Sequence, residues 1–147
     1  MRISTKLRYG LRAMVDLAQF DSDGPVLVRN IAKRQGISKK YLDNLLVLLK
    51  NAGLVRSVRG AKGGYSLAHP PSKMTVLDIA IALEGAPSLI DCIADPSICD
   101  RSDICPTLEF WKNMSGVLEN FMAKTTLEEL VSQCREKQQS QVQMYYL

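Results

Sequence analysis

The stretch IAKRQGISKKYLDNLLVLLKNAGL at residues 31–54 constrains the fold more than any other part of the chain. Gly36 follows a short helical segment expected from about Val28 to Gln35, burying Ile31 and Ala32, and a left-handed C-cap suits a residue without a side chain. Ile37 then points inward, and Ser38 is a fitting N-cap for a second helix from Lys39 to Ala52, stopped by Gly53. Two helices joined by so short a glycine turn form a helix-turn-helix unit, whose second helix enters a DNA major groove. Leu42, Leu45, Leu46 and Leu49 recur at helical spacing and face the core. That leaves Lys39, Lys40, Asp43 and Asn44 on the outer side of the first turns. Polar side chains there reach base edges, and an asparagine pairs bidentately with adenine. An ordinary helical hairpin with a wet face shows the same pattern, so charge and context must decide.

Both favour nucleic acid. Residues 1–75 hold 14 lysines and arginines against 4 acidic groups, a net of +10, while residues 76–147 hold 5 against 11, a net of −6. A field so positive over half a chain attracts polyanions, nucleic acid first and a membrane surface second. Directly after the second helix, LVRSVRGAKGGYSLA reads as two short strands, Val55–Val58 and Gly64–Leu67, around a glycine-rich tip. Arg56, Arg59 and Lys62 ride on this hairpin. A helix-turn-helix followed by a basic hairpin is a winged helix, whose wing meets phosphates or the neighbouring minor groove. Gly60, Gly63 and Gly64 match neither nucleotide-binding glycine pattern, and no helix follows them directly.

The remaining elements follow from periodicity and caps. Ser4 or Thr5 caps a helix to about Phe20, with Leu7, Leu11, Met14, Val15 and Ala18 on one stripe and Arg8 and Arg12 on a more polar side. DSDGP at 21–25 ends it. Thr75 caps VLDIAIALE, closed by Gly85. Pro106 is read as the start of the helix PTLEFWKNMSGVLENFMAK, where its missing N–H is harmless. Leu108, Trp111, Ser115, Leu118 and Met122 lie along one side with Met114 and Phe121 adjacent. So wide an apolar stripe needs a partner surface, and a two-fold homodimer fits a reader of two half-sites. TLEELVSQC gives one more short helix, and the glutamine-rich tail is expected to be flexible up to MYYL, whose aromatic residues are suited to docking. The first residues lack an apolar signal core, and LLVLL at 45–49 is too short to span a bilayer. A cytoplasmic protein with no membrane segment is therefore expected. His69, beside two prolines, reads as a turn residue, and no catalytic histidine arrangement is in view.

Between the two halves lies DCIADPSICDRSDIC, residues 91–105. Cys92, Cys99 and Cys105 give C-x6-C-x5-C, with Cys134 distant. In a reducing compartment such a cluster points to metal or redox chemistry rather than a structural disulfide. Thiolates from one loop converge on a soft metal or an iron–sulfur cluster. The spacing is wider than the CxxC knuckles of structural zinc, and the absence of CxxC also speaks against a small cysteine redox enzyme. Three incidental thiols are the bland alternative.

Taken together, MRISTKLRYGLRAM, ISKKYLDNLL, GLVRSVRGAKGGYSL, the cysteine loop, WKNMSGVLENF and TLEELV resemble the Rrf-two family of bacterial winged-helix transcription regulators, over nearly the whole chain. The resemblance implies a mostly α fold with a small β-hairpin wing. Its parts would be a DNA-binding domain over 1–85 whose first helix also packs with the dimer arm, a cysteine sensor loop over 86–105, and a dimerisation helix, short helix and tail over 106–147. It implies a homodimer, in function a repressor, on double-stranded pseudo-palindromic operator DNA. Ser38, Lys40, Tyr41, Asp43 and Asn44 match the groove-reading and backbone-contacting helix, and Arg59 the wing arginine that enters the minor groove. Cys92, Cys99 and Cys105 match the three ligands of an iron–sulfur cluster, 2Fe–2S ahead of 4Fe–4S, that senses iron–sulfur, redox or nitric-oxide status.

Three departures stand out. The first cysteine gap is one residue longer than in IscR-type members. Asp43 replaces a glutamate, shortening that acceptor by one methylene. Leu108 occupies the place of the histidine ligand, and the first helix offers only Arg8 and Arg12 where some members supply a ligand across the dimer. Glu109, a loop aspartate, Cys134 or an exogenous molecule remain as the fourth ligand. The tail QVQMYYL resembles that of cluster-free regulators of cysteine metabolism, which act through a partner enzyme.

Overall fold

The computed structural model describes residues 3–145. Ser4 and Ser38 set the starts of the two helices that frame the reading unit. Each side-chain oxygen accepts a backbone N–H three residues on, from Leu7 at 3.0 Å and from Tyr41 at 3.2 Å, satisfying one of the donors that a helix start leaves open. The first helix, α1, spans Thr5–Phe20, α2 spans Val28–Gln35, and α3 spans Lys39–Asn51. Gly36 closes α2 with φ 63°, the left-handed value that the turn requires. Ala52 is the C-cap of α3, one residue inside the expected end.

Strands β1 (Val55–Val58) and β2 (Gly64–Leu67) pair antiparallel, with Val55 opposite Leu67 and Val58 opposite Gly64. The hairpin is fastened to the body by a short bridge, in which Val26 and Tyr65 exchange both backbone hydrogen bonds at 2.8 Å. A side chain at Gly64 would run into the Val26 carbonyl, so that position needs glycine for close approach as well as for its φ of 146°.

Helix α4 (Val76–Glu84) follows, started by a reciprocal capping box between Thr75 and Asp78. One core unites these elements: Met14, Leu17, Ile31, Leu42, Leu45, Leu46, Leu49 and Ile79 are all buried. Each such side chain contributes on the order of 1.5–3 kcal/mol by leaving water. In α1 the innermost line is Leu7, Gly10, Ala13, Met14 and Leu17, while Leu11, Val15 and Ala18 are half-buried.

The second half departs from expectation in two places. Beyond a four-residue helix α5 (Asp91–Ala94) and two short 3-10 turns, helix α6 spans Leu108–Lys124. Pro106 lies in a turn two residues before it rather than at its first position, and Thr107 occupies the N-cap. The last helix, α7, runs Leu127–Tyr145, so the glutamine-rich segment is helix and not a flexible tail. Gln, Glu, Lys and Arg are good helix formers even where no apolar period marks the helix. Its first half packs on α1, with Leu127 and Leu130 in the shared core and Val131 buried, and its outer half is exposed throughout. Of MYYL, Met144 and Tyr145 are exposed, and Tyr146 and Leu147 lie outside the described residues. Among the described residues no helix is long and apolar enough to cross a membrane.

Candidate nucleic-acid interface and cysteine loop

The end of α2, just before the turn into the reading helix, is held by a polar stripe on α1 that periodicity alone does not reveal. Asp16, only 1% exposed, accepts from Arg34 Nε at 2.9 Å and Nη2 at 2.6 Å, and from Gln35 Nε2 at 2.9 Å. A buried carboxylate needs such partners. The Arg34 guanidinium is held positive by this hydrogen bond, which raises its pKa further, and it stacks 4.0 Å from the centre of the Phe20 ring. One turn earlier, Arg12 donates through Nε to Gln35 Oε1 at 3.2 Å and through Nη2 to the Gln35 carbonyl. One further turn back, Tyr9 meets Tyr41 edge-to-face at 5.9 Å. Tyr9, Arg12 and Asp16 thus grip both sides of the Gly36 turn. The available signal in the sequence is Asp16 itself, a carboxylate flanked by Met14 and Leu17 that demands a partner.

The expected reading residues lie on one surface of α3. Ser38, Lys39, Lys40 and Asn44 are exposed, and Tyr41 and Asp43 are half-buried. Ser38 uses its oxygen as an acceptor for the helix start, leaving its O–H to donate. Lys39 Nζ and Asp43 Oδ2 are 2.8 Å apart, so the acidic acceptor is already partnered within the helix. Lys40 and Asn44 make no side-chain hydrogen bond or ion pair among the described residues. On the wing, Arg59 and Lys62 are exposed around the tip. Arg56 differs from them, because its Nη2 donates to the Leu67 carbonyl at 3.2 Å across the hairpin.

The three loop cysteines are half-buried, and each is a free thiol. Backbone bonds such as Asp95 N–H to Asp91, Cys99 N–H to Pro96 and Ser102 N–H to Cys99 close turns within the loop itself. The Cys105 thiol lies 3.5 Å from Thr107 Oγ1, and that contact, then the Thr107 backbone, lowers its pKa below the usual thiol value. Among the described residues no three His, Cys, Asp or Glu side chains converge as a metal-binding group. The loop therefore brings Cys92, Cys99 and Cys105 into one segment without bringing them to one point. Glu109 is engaged by Lys112 at 3.1 Å, and Cys134 lies on α7, whose first half packs on α1.

Alongside this geometry, a family model described as "Rrf2: Iron-dependent Transcriptional regulator" matches residues 3–133. The chain belongs to the Rrf2 family. Within it, the HTH-type transcriptional regulator CymR of Bacillus subtilis is 37% identical over 147 residues, the whole of both chains. The solved structure of CymR, the global cysteine regulator of B. subtilis, superposes with a TM-score of 0.75 at 38% identity, covering 90% of this chain and 97% of that one. The structure of T. potens IscR gives a TM-score of 0.78 at 38% identity, covering 94% and 91%. This Rrf2 protein is thus a winged-helix transcriptional regulator of the CymR and IscR type.

Proposed function

We propose that this Rrf2 regulator is a cytoplasmic, homodimeric repressor that reads operator DNA with residues 1–85 and senses through the loop 86–105, with 106–147 as its dimer arm. The observation that carries the reading is the α3 surface: among the described residues Lys40 and Asn44 stand exposed without side-chain partners, the wing carries an exposed arginine, and the turn before α3 is held at the end of α2 by Asp16 and Arg12. Asn44 and Asp43 read base edges, Ser38, Lys39, Lys40 and Tyr41 contact edges or backbone, and Arg59 enters the minor groove with Lys62 and Arg56 on phosphates. The dimer face is the outer side of α6, where Phe110, Val117 and Phe121 are exposed in one chain.

Cys92, Cys99 and Cys105 fit an iron–sulfur cluster by donor chemistry, since all three are soft thiols and the Cys105 contact with Thr107 favours its thiolate. Convergence requires the loop turns to repack, and their backbone bonds are local. When bound, the cluster, 2Fe–2S ahead of 4Fe–4S, supplies iron that responds to redox state and nitric oxide. Purification without oxygen, followed by iron and sulfide counting, tests this assignment; iron-free, colourless protein from iron-replete cells rejects it. Arg59→Ala is expected to weaken operator binding most at narrow A·T-rich minor grooves, and unchanged affinity at equal salt rejects the wing assignment.

A second, cluster-free reading draws on the tail at the end of α7. The outer half of that helix carries Met144 and Tyr145 into solvent at the head of the CymR-like tail, a presentation suited to capture by an enzyme of cysteine metabolism. Regulation that survives replacement of all three loop cysteines by alanine supports this cluster-free alternative.

A further inference from the structure

Between α1, α2 and α7 lies a groove of about 550 Å³, walled in part by the Asp16–Arg34 and Arg12–Gln35 bonds described above. Its volume falls in the range of small-molecule sites, which combine apolar walls with a few placed polar groups. Leu11 and Val15 of α1 and Leu130 of α7 form the apolar part, and Arg12 and Lys137 bring positive charge to it. Asp16 also lines the groove, but its charge is matched by Arg34 at 2.6 Å. Arg12, in contrast, hydrogen-bonds to the neutral amide and carbonyl of Gln35 and lies over the Tyr9 ring at 5.3 Å, with no anionic partner among the described residues. Among the described residues the ion pairs are Asp16–Arg34, Lys39–Asp43 and Glu109–Lys112, so neither Arg12 nor Lys137 has a carboxylate within 4.0 Å. Two uncompensated cations over an apolar floor are complementary to an anion with an apolar body.

We propose that this groove is an effector site for a small carboxylate carrying a short apolar chain. Its position gives it a route to the reading helix. Both hydrogen bonds from Arg12 end on Gln35, the last residue of α2, directly before Gly36 and the start of α3. A carboxylate that draws the Arg12 guanidinium toward itself competes with Gln35 and loosens the support of the turn. Occupancy therefore lowers DNA affinity, and by linkage DNA lowers carboxylate affinity by the same factor. The coupling rests on the DNA-binding reading above; the binding itself does not, and neither depends on the cysteine loop.

The test titrates the full chain with hexanoate and, as neutral control, 1-hexanol at constant ionic strength, followed by backbone amide NMR shifts. Hexanoate is expected to give saturable shifts at Gln35 and along residues 133–138, with hexanol about tenfold weaker, the equivalent of about 1.4 kcal/mol for a charge-assisted contact. The double variant Arg12→Gln with Lys137→Gln should reduce hexanoate to the level of hexanol and leave hexanol unchanged. Leu130→Trp, which fills the apolar floor and keeps the charges, should abolish both. Equal binding of acid and alcohol, or shifts outside the groove, overturns the site. Groove shifts that follow protein concentration instead of hexanoate identify a second copy as the occupant and also overturn it. With a duplex selected from genomic fragments, saturating hexanoate should weaken DNA binding in the wild type and not in the double variant. Unchanged DNA affinity under saturation overturns the effector role. Failure to bind any duplex without hexanoate strikes instead at the regulator reading.

Discussion

The winged-helix half and the cysteine-loop half of this Rrf2 protein are built on different terms. From α1 to α4 the chain supplies its own partners: a buried carboxylate finds Arg34 and Gln35, each long helix start except that of α2 has a side-chain cap, and the wing is tied to Val26. From Ala86 to Lys124 it does so only on one side. Met122 of α6 joins the core and Leu89 N–H donates to Ser115 Oγ at 3.4 Å, but the cysteine turns are otherwise closed locally and the outer face of α6 leaves Val117 at 70% and Phe121 at 69% exposure. A surface that must present fixed chemistry to DNA is completed in advance. The segment for which we propose a signal and a second copy leaves more of its surface open. Low local stability is what permits such a segment to respond.

The contrast can be broken most forcefully at Arg34. Arg34→Ala leaves the Asp16 carboxylate buried with fewer partners and should cost about 3 kcal/mol of stability by urea unfolding, at the low end for such pairs because Arg34 keeps 32% exposure. If the loss is near zero, the reading half is not as preorganised as its hydrogen bonds suggest. Phe121→Ala should do the reverse. Folding of the single chain is expected to change by no more than about 0.5 kcal/mol, while the dimer dissociation constant, measured by analytical ultracentrifugation, rises about tenfold as an apolar anchor is lost.

A smaller effect sharpens the loop side. The Cys105 thiol is held below the usual thiol range first by the Thr107 side chain, so its alkylation rate should inflect at lower pH than an ordinary thiol. Thr107→Val removes that hydrogen bond. The inflection should then move upward, and at a fixed pH below it the rate should fall, with mass spectrometry locating the modified residue. Smallest is Lys39→Ala. This exposed pair with Asp43 should contribute only about 0.3–0.5 kcal/mol to stability, whereas its loss releases Asp43 and should show more clearly in base preference at the position that residue reads.

The same division explains what the sequence discloses. Glycines at 36 and 53, the Ser38 cap and the glycine-rich tip of the wing are local signals, and they place α2, β1 and β2 at their observed bounds. The family likewise follows from such motifs. Pro106 misleads because proline suits a turn as well as a helix start, and here the turn prevails. The outer part of α7 is hidden because a helix polar on all sides has no apolar period to read. Asp16 is hidden for another reason: its partner Arg34 lies 18 residues away and its burial is a tertiary fact. For the cysteines, spacing identifies a set of donors. Their distance from one another in space belongs to the loop's packing, which no spacing encodes.

One feature of the backbone ties the two halves together. The chain leaves α4 at Gly85, travels through the cysteine loop and α6, and returns to the opposite end of the same helix. There Val76 N–H donates to Thr125 at 2.9 Å and Leu127 N–H to Met74 at 2.8 Å. The whole excursion is thus clamped at both ends of one nine-residue helix. Because α4 packs directly against both α1 and α3, the excursion and the reading helix share one anchor.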